Sequence, residues 1–344
     1  MTDTEQKPLI CRPTNDYTII YKPAVEFAKT QRSIYWPPDE IAVEKDLSDM
    51  HSNVTESEYH GIITTLRLFT SYELMAGGEY WGDRIMKEFP RPDIQMMASC
   101  FSFFELNVHA VFYDKINRLL GLSTPEFYLS YTEDETLSSR MKFIEDIVEH
   151  EDLMTSIAVF SMIEGAVLYS SFAFLKHFQN LGKNKIVNIN AGISFSANDE
   201  NLHAEGAAWL FKTYRDEINP SEERMKEFVS RVTEAAQKIV EHEDRIIDMI
   251  FSKGKIKGIT ELQMKNFVRH RVNLCLERLD LESMFKIDYN PIAKWFYRSI
   301  NGGAHHDFFV AIGNEYNRDW DVTELAFPQK MIENKTEEKE MEAA

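Results

Sequence analysis

Two carboxylate–imidazole pairs stand on segments that have the pattern of buried helices. Glu200 and His203 are three residues apart, and Glu105 and His109 are four residues apart. Residues three or four apart lie on the same side of a helix, so each pair can point at one ligand. Carboxylate oxygens and imidazole nitrogens, without thiolates, suit iron or manganese. The two pairs therefore indicate a metal site.

Two more glutamates complete the pattern. Glu164 is the only charged residue between Asp152 and Lys176, on a helix that is apolar nearly all round. Such a helix is buried, so its carboxylate has to be paired, protonated or bound to a metal. Glu73 is the only carboxylate of another mostly apolar stretch, residues 66–76. The predicted metal ligands are Glu73, Glu105, His109, Glu164, Glu200 and His203.

The order of these residues is more informative than any one of them. A lone glutamate on an apolar helix is more often a core carboxylate with its hydrogen bonds satisfied. Here four successive segments supply Glu, Glu/His, Glu and Glu/His, the ligand set of a carboxylate-bridged dimetal site in a ferritin-like bundle. This order favours the metal site over four separate core carboxylates.

The periodicity of the chain predicts an all-α fold, a ferritin-like helical bundle with additional helices, because strand-like alternation is scarce. Thr55 and Glu58 have the spacing of a capping box, which begins the first ligand helix. We expect this helix to end near Gly77 and Gly78. The other ligand helices are predicted at about 93–120, 153–181 and 187–215.

The chain is predicted to form one large domain. Residues 1–30 are expected to be an irregular N-terminal arm, residues 31–320 the ferritin-like domain and residues 321–344 a flexible C-terminal tail. From Met331 onward the sequence is rich in Glu and Lys and has few large apolar residues. Such a composition does not support a packed core.

Charge and cysteine usage exclude several classes of protein. The net charge of −18 argues against a nucleic-acid partner, which needs a basic surface, and against anionic membranes. Cys11, Cys100 and Cys275 are far apart and form no CxxC motif, so a disulfide framework is not expected. The polar N-terminus has no signal pattern, and no apolar run reaches membrane-span length without a charge. We therefore expect a cytoplasmic protein.

Around these residues the chain resembles the small, radical-generating subunit of class I ribonucleotide reductase, over roughly residues 30–320. The resemblance is carried by Asp199 to His203, which reads Asp-Glu-Asn-Leu-His, and by Glu164-Gly165. It implies a homodimer in which each chain binds two metal ions that react with O2. The pair is expected to be Fe/Fe, with Mn/Fe or Mn/Mn as the alternatives. It also implies a separate large subunit, which reduces ribonucleotides to deoxyribonucleotides.

The resemblance also assigns roles to three residues outside the ligand set. Tyr113 lies four residues after His109, the offset at which family members carry the tyrosine that becomes a stable radical. Trp36 is similar to the tryptophan of the family's electron-transfer path. Asp199 is similar to the aspartate that links this tryptophan to a metal-bound histidine. The apolar side chains expected to line the Tyr113 pocket are Leu168 and Phe172.

The chain departs from the family in the spacing of its first pair. Family members usually have Glu-x-x-His, whereas Glu105 and His109 are four residues apart. Three residues turn a helix by about 300° and four by about 400°, so both spacings stay within about 60° of one face. A one-residue π-bulge near Leu106 and Asn107 would restore the remaining angle. We therefore predict a local helix distortion there.

Two further departures concern the metal and the tail. Glu73 stands where many family members have Asp, and its longer arm is expected to change bridging and to favour a manganese–iron pair. No tyrosine follows Tyr316, although the family's tail usually carries a relay tyrosine. We place the docking contact with the large subunit in the apolar residues nearby, which are Trp320, Val322, Leu325 and Phe327.

A second function remains open at this point, that of another ferritin-like dimetal oxidase. Such a ligand-binding or desaturase-like enzyme would use the same metal ligands, with Tyr113 as an ordinary core residue. An iron-storage subunit is a weaker alternative, because storage ferritins are much shorter. The sequence contains neither GxxxxGK nor GxGxxG, which fits a subunit that never touches the nucleotide.

Overall fold

The computed structural model describes residues 7–300, and every regular element in that range is helical. The predicted all-α fold is confirmed. Besides short 3₁₀ turns, segments of π-helix occur at Asp49–Asn53, Met75–Ile85, Glu105–His109 and Ile163–Val167. The α-helices are α1 Lys22–Ser33, α2 Glu56–Leu74, α3 Met86–Glu88, α4 Pro92–Phe104, α5 Ala110–Leu119, α6 Pro125–Leu129, α7 Glu135–Glu149, α8 Leu153–Met162, α9 Tyr169–Lys176, α10 Val187–Ile218, α11 Glu222–Phe251 and α12 Glu261–Arg278. Residues 291–300 are helical as well.

Four long helical units form the centre of the fold. The first is α2 with its π continuation, the second joins α4 and α5, the third joins α8 and α9, and the fourth is α10. α8 packs along α10, while α2 packs against both α5 and α9. Helix α1 covers α4, and α11 lies against α2, α8 and α12. This packing places the apolar faces of all four units in one core.

The third unit is the central core helix. By length and composition, the stretch Leu153–Gln179 is apolar enough to cross a membrane, but its most apolar window is entirely buried inside the protein. A helix that is apolar all round needs partners on every side. Here neighbouring helices of the same chain supply them.

The first ligand helix begins as predicted but does not end as predicted. The Thr55 hydroxyl accepts from the Glu58 backbone N–H, and the Glu58 carboxylate accepts from the Thr55 N–H at 2.9 Å. The expected end near Gly77 and Gly78 is wrong, because the chain continues as the π segment Met75–Ile85. A Cβ on Gly77 would lie 2.6 Å from the Cβ of Glu105. This glycine therefore allows two ligand helices to approach each other rather than ending one of them.

The N-terminal arm is less irregular than predicted. Helix α1 occupies Lys22–Ser33 and is packed against α4. Its buried residues, Ala24, Ala28 and Gln31, follow the spacing of one helix face. Because these side chains are small or polar, the apolar periodicity of this segment is weak in the sequence. The same small side chains let α1 lie close to the bundle.

Helix α10 is capped from a distant part of the chain. Ile186, which precedes it, has φ 45° and no capping side chain of its own. Instead Asp49 accepts from the Ile186 N–H at 2.9 Å, and Asp46 accepts from the Ile189 N–H at 2.7 Å. Carboxylates at a helix N-terminus accept from its free N–H groups, and their negative charge interacts favourably with the positive end of the helix dipole. These contacts fix the start of the helix that carries two predicted ligands.

Candidate metal centre

The structure brings all six predicted ligands together at the centre of the bundle. They form two groups of four, and within each group one ligand atom of every residue lies within 4.8 Å of the others. Glu105 and Glu200 belong to both groups, as expected of carboxylates between two metal positions. All six side chains are buried. The first group is Glu73, Glu105, His109 and Glu200, and the second is Glu105, Glu164, Glu200 and His203.

Many of the polar atoms in this cluster have no hydrogen-bond partner. Both carboxylate oxygens of Glu73 and both of Glu200 are buried without one, while His203 Nδ1 lies 2.5 Å from Glu105 Oε1. An unpartnered buried carboxylate is too costly to persist without compensation. Oxygen and nitrogen atoms converging on two points are what a pair of iron or manganese ions needs. The residues present therefore fit a dimetal centre.

Burial and mutual crowding shift the pKa values of the carboxylates in this cluster. Burial raises the pKa of Glu73 and of Glu164 well above the usual range, and neighbouring carboxylates raise it further. Burial and the charge of Glu105 raise the pKa of Glu200 to about 7. Burial also acts on Glu105, but the imidazole of His203 holds its pKa well below the usual value. Bound cations would favour the charged form of every carboxylate here.

The unusual spacing of Glu105 and His109 is resolved by a π turn. The helix changes to π geometry over Glu105–His109, which we call the Glu105 π segment. Glu105 Oε2 lies 2.9 Å from His109 Nδ1, so the two side chains share one face. Leu106 is half-buried and Asn107 is exposed. The predicted distortion at these two residues is confirmed.

Two of the other ligand helices change to π geometry at or beside a ligand. Glu164 lies inside the segment Ile163–Val167, which we call the Glu164 π segment. Glu73 is one residue from the end of α2, and the π segment Met75–Ile85 follows. π turns inside helices frequently mark functional sites. Only the one at Glu105 left a signal in the sequence, through the extra residue between two ligands.

The predicted hydrogen-bonded chain from Trp36 through Asp199 to His109 is present. Trp36 Nε1 donates to Asp199 Oδ2 at 2.7 Å, and His109 Nε2 lies 3.0 Å from the same oxygen. A carboxylate can only accept, so Nε2 carries the proton and Nδ1 of His109 is left to bind a metal.

Gln31 orients the second histidine, and the sequence analysis missed it. Its Nε2 donates to Asp199 Oδ1 at 2.8 Å, and its Oε1 lies 3.1 Å from His203 Nε2. This leaves Nδ1 of His203 facing the carboxylates, as for His109. The available signal was a single polar residue in the buried stripe of α1.

Two aromatic residues hold Glu164, and neither was predicted. The Tyr72 hydroxyl donates to Glu164 Oε2 at 3.1 Å, and Trp81 Nε1 donates to Oε1 at 2.7 Å. Both aromatic side chains are buried. Glu164 therefore differs from Glu73 and Glu200, because each of its oxygens already has one partner. The hydrogen bonds fix where its carboxylate points.

Tyr113 lies in a buried aromatic pocket. Its ring centroid is 4.5 Å from that of Phe69 and 5.4 Å from that of Phe112. Its hydroxyl is buried and has no hydrogen-bond partner among residues 7–300. Burial, and then the negative charge of Glu73, raise its pKa well above the usual value. Phe172, expected to line this pocket, contacts Phe69 at 5.8 Å, and the expected Leu168 is buried as well.

Comparisons with known proteins agree with this geometry. The family model for the ribonucleotide reductase small chain matches residues 14–291. The probable ribonucleoside-diphosphate reductase small subunit of Invertebrate iridescent virus 3 is 28% identical over 306 residues, covering 83% of this chain and 80% of the viral protein.

Solved structures show the same fold at low sequence identity. A putative class I ribonucleotide reductase from Bacillus halodurans has a TM-score of 0.73 at 21% identity, covering 81% of this chain and all of that one. The dimanganese(II)-NrdF of Streptococcus sanguinis has a TM-score of 0.71 at 19% identity, covering 82% of this chain and 98% of that one. The family match, spanning most of the chain, and the shared ferritin-like fold lead to one conclusion: this chain belongs to the ribonucleotide reductase small-chain family.

Proposed function

We propose that this chain is the small subunit of a class I ribonucleotide reductase, and that its buried ligand cluster binds two metal ions and generates a radical at Tyr113. The observation that carries the proposal is the convergence of four carboxylates and two imidazoles from four helical units, with both oxygens of Glu73 and of Glu200 buried and unpartnered. The family match supports the reductase role. The proposed ligands are Glu73, Glu105, His109, Glu164, Glu200 and His203.

The proposed metals are a pair of iron ions, with Mn/Fe and Mn/Mn as the alternatives. The donor set of four carboxylates and two imidazoles suits either element. Many family members have aspartate at the position of Glu73, and the longer glutamate side chain is the feature on which the proposed manganese–iron alternative rests. When bound, such a pair supplies the redox chemistry that reduces O2 and takes an electron from a nearby tyrosine.

The surrounding residues orient the ligands and provide a path for the electron. Asp199 and Gln31 hold the Nε2–H groups of the two histidines, so that both Nδ1 atoms face the carboxylates. Trp36 shares the Asp199 oxygen with His109, so a continuous hydrogen-bonded route leads away from the cluster. We assign this route to electron transfer between the metal centre and the partner subunit.

Tyr113 is the proposed radical site because its hydroxyl is fully buried in an aromatic pocket. The aromatic rings of Phe69 and Phe112 shield it from reductants in solution. The experiment is electron paramagnetic resonance (EPR) after adding Fe(II) and O2. Wild-type protein should give a tyrosyl signal, and Tyr113→Phe should consume O2 without giving it. An unchanged signal in Tyr113→Phe would move the radical elsewhere, and a silent wild-type product would support the dimetal oxidase instead.

The proposed assembly is a homodimer that works with a larger nucleotide-binding subunit in the cytoplasm. The expected docking residues, Trp320 to Phe327, lie outside the described residues, as does the predicted tail. Deleting residues 331–344 should leave nucleotide reduction largely intact, whereas deletion from Asp319 should abolish it and leave the radical signal unchanged. Loss of activity in the shorter deletion would place the docking element at the acidic end.

A further inference from the structure

A buried arginine connects three segments of the chain beside the candidate metal centre. Arg271 belongs to α12 and is 1% exposed. Its Nε donates to the Gly165 carbonyl at 2.7 Å, its Nη1 to the Tyr297 hydroxyl at 3.0 Å and its Nη2 to Asn201 Oδ1 at 3.4 Å. One guanidinium group therefore makes three contacts in three directions.

Two of these contacts are to residues next to predicted ligands. Gly165 follows Glu164 within the Glu164 π segment, and Asn201 follows Glu200 on α10. Both glutamates belong to the second group of ligands. The rigid fork of Arg271 connects the two chain segments, and Arg278 of the same helix also donates to Asn201 Oδ1, at 2.8 Å. Only Arg271 donates to both Gly165 and Asn201 among the described residues.

The electrostatics of Arg271 set it apart from a neighbouring arginine. Arg140 also donates to the Glu164 π segment, at the Val167 carbonyl, and it is neutralised by Glu243 at 3.1 Å. Arg271 has no ion-pair partner among the described residues, and its guanidinium instead lies 3.7 Å from the ring centroid of Tyr169. Burying a cation without a counter-ion is unfavourable. A neutral donor could bind one carbonyl without burying a charge. Binding several acceptors in different directions requires the planar, many-donor guanidinium of arginine.

We propose that Arg271 is a positioning residue for the second metal position, acting through Gly165 on Glu164 and through Asn201 on Glu200. The inference rests on the proposed ligand assignment. The two groups share Glu105 and Glu200, whereas Glu164, whose neighbour Gly165 accepts from Arg271 Nε, belongs to the second group alone. Loss of the fork should therefore weaken one metal position much more than the other.

The experiment is a titration of metal-free protein with Mn(II), followed by EPR, in Arg271→Lys and Arg271→Met. Wild-type protein should bind two ions and give the spectrum of a coupled pair. Both variants should bind one ion as in wild type and the second about 10–100-fold more weakly, the usual effect of losing a residue that orients a ligand. At two equivalents they should show mainly the spectrum of isolated Mn(II). Lysine should not rescue, because it lacks the planar fork.

The matched control is Arg269→Lys. Arg269 lies two residues earlier on α12, is about a quarter exposed and pairs with Asp244 at 2.6 Å. This variant should bind both ions as in wild type. Wild-type affinity for the second ion in both Arg271 variants would overturn the inference, and so would an equal loss of both ions, which would indicate general loosening of the fold.

A gentler variant keeps the inference testable if the Arg271 variants do not fold. Tyr297→Phe removes one acceptor of the fork and keeps the ring, and it should weaken the second ion alone, by about two- to tenfold. An unchanged second affinity there would then overturn the inference. Wild-type protein that binds fewer than two ions would refute the ligand assignment itself and, with it, the role of Arg271.

Discussion

The substitution Asp199→Asn tests how the two histidines are oriented. Asp199 Oδ2 accepts from Trp36 Nε1 at 2.7 Å and from His109 Nε2 at 3.0 Å, while Oδ1 accepts from Gln31 at 2.8 Å. Asparagine keeps one of these two acceptor oxygens. If that oxygen serves Trp36 and His109, the new NH₂ group faces the NH₂ group of Gln31.

Turning the Gln31 amide does not relieve the conflict. Its oxygen would then face residue 199, but the oxygen would be withdrawn from His203 Nε2, which it now contacts at 3.1 Å. In every arrangement one buried donor lacks an acceptor, which costs about 1–3 kcal/mol. Since 1.4 kcal/mol is a factor of ten, metal affinity should fall about 10–100-fold, in line with other residues that orient metal-bound histidines.

The assay is isothermal titration of metal-free protein with Mn(II). Asp216→Asn is the matched control, because Asp216 is on the same helix, is exposed and, among residues 7–300, pairs only with Arg215. The control should bind both ions as in wild type. Wild-type affinity in Asp199→Asn would show that the chain through Asp199 does not hold the histidines, and the argument for their Nδ1 ligation would fail.

Two further outcomes follow from glycine packing and from a buried lysine. Gly77→Ala should destabilise the protein by about 1–3 kcal/mol, because its Cβ would lie 2.6 Å from that of Glu105, whereas Gly78→Ala, with open space around it, should be neutral or slightly stabilising. Equal melting temperatures for the two would contradict this. Burial lowers the pKa of Lys176 to about 8, so between pH 8 and the unfolded pKa near 10.5 the unfolded chain holds more protons and stability rises with pH. The melting temperature of wild type relative to Lys176→Met should therefore increase over that range, and a constant difference would refute the shift.

The clustering of the six proposed ligands was predictable from sequence because each of these residues is an exception to its surroundings. A carboxylate such as Glu164, on a helix apolar all round, has few explanations, and the order of four such segments removes most of them. The extra residue between Glu105 and His109 even predicted a change of helix geometry. These signals lie within single helices, so they can be recognised without knowing how the helices pack.

The residues that the sequence did not reveal act through long-range contacts. Gln31 is more than 160 residues from both Asp199 and His203, and its only local signal is its place as the one polar residue in the buried stripe of α1. In the sequence Trp81 cannot be distinguished from an ordinary core residue, but in the structure its Nε1 donates to Glu164. A glycine such as Gly77 is compatible with a helix end or with the close approach of two helices. Only the position of the neighbouring helix distinguishes the two.

Anomalous X-ray diffraction from metal-loaded crystals tests the central claim most directly. We expect two anomalous peaks per chain, each bound by one histidine Nδ1, with Glu105 and Glu200 between them and the Glu105 π segment retained. A single peak, a peak bound through Nε2, or an undistorted helix with Glu105 turned away from the metals would contradict this account of the site.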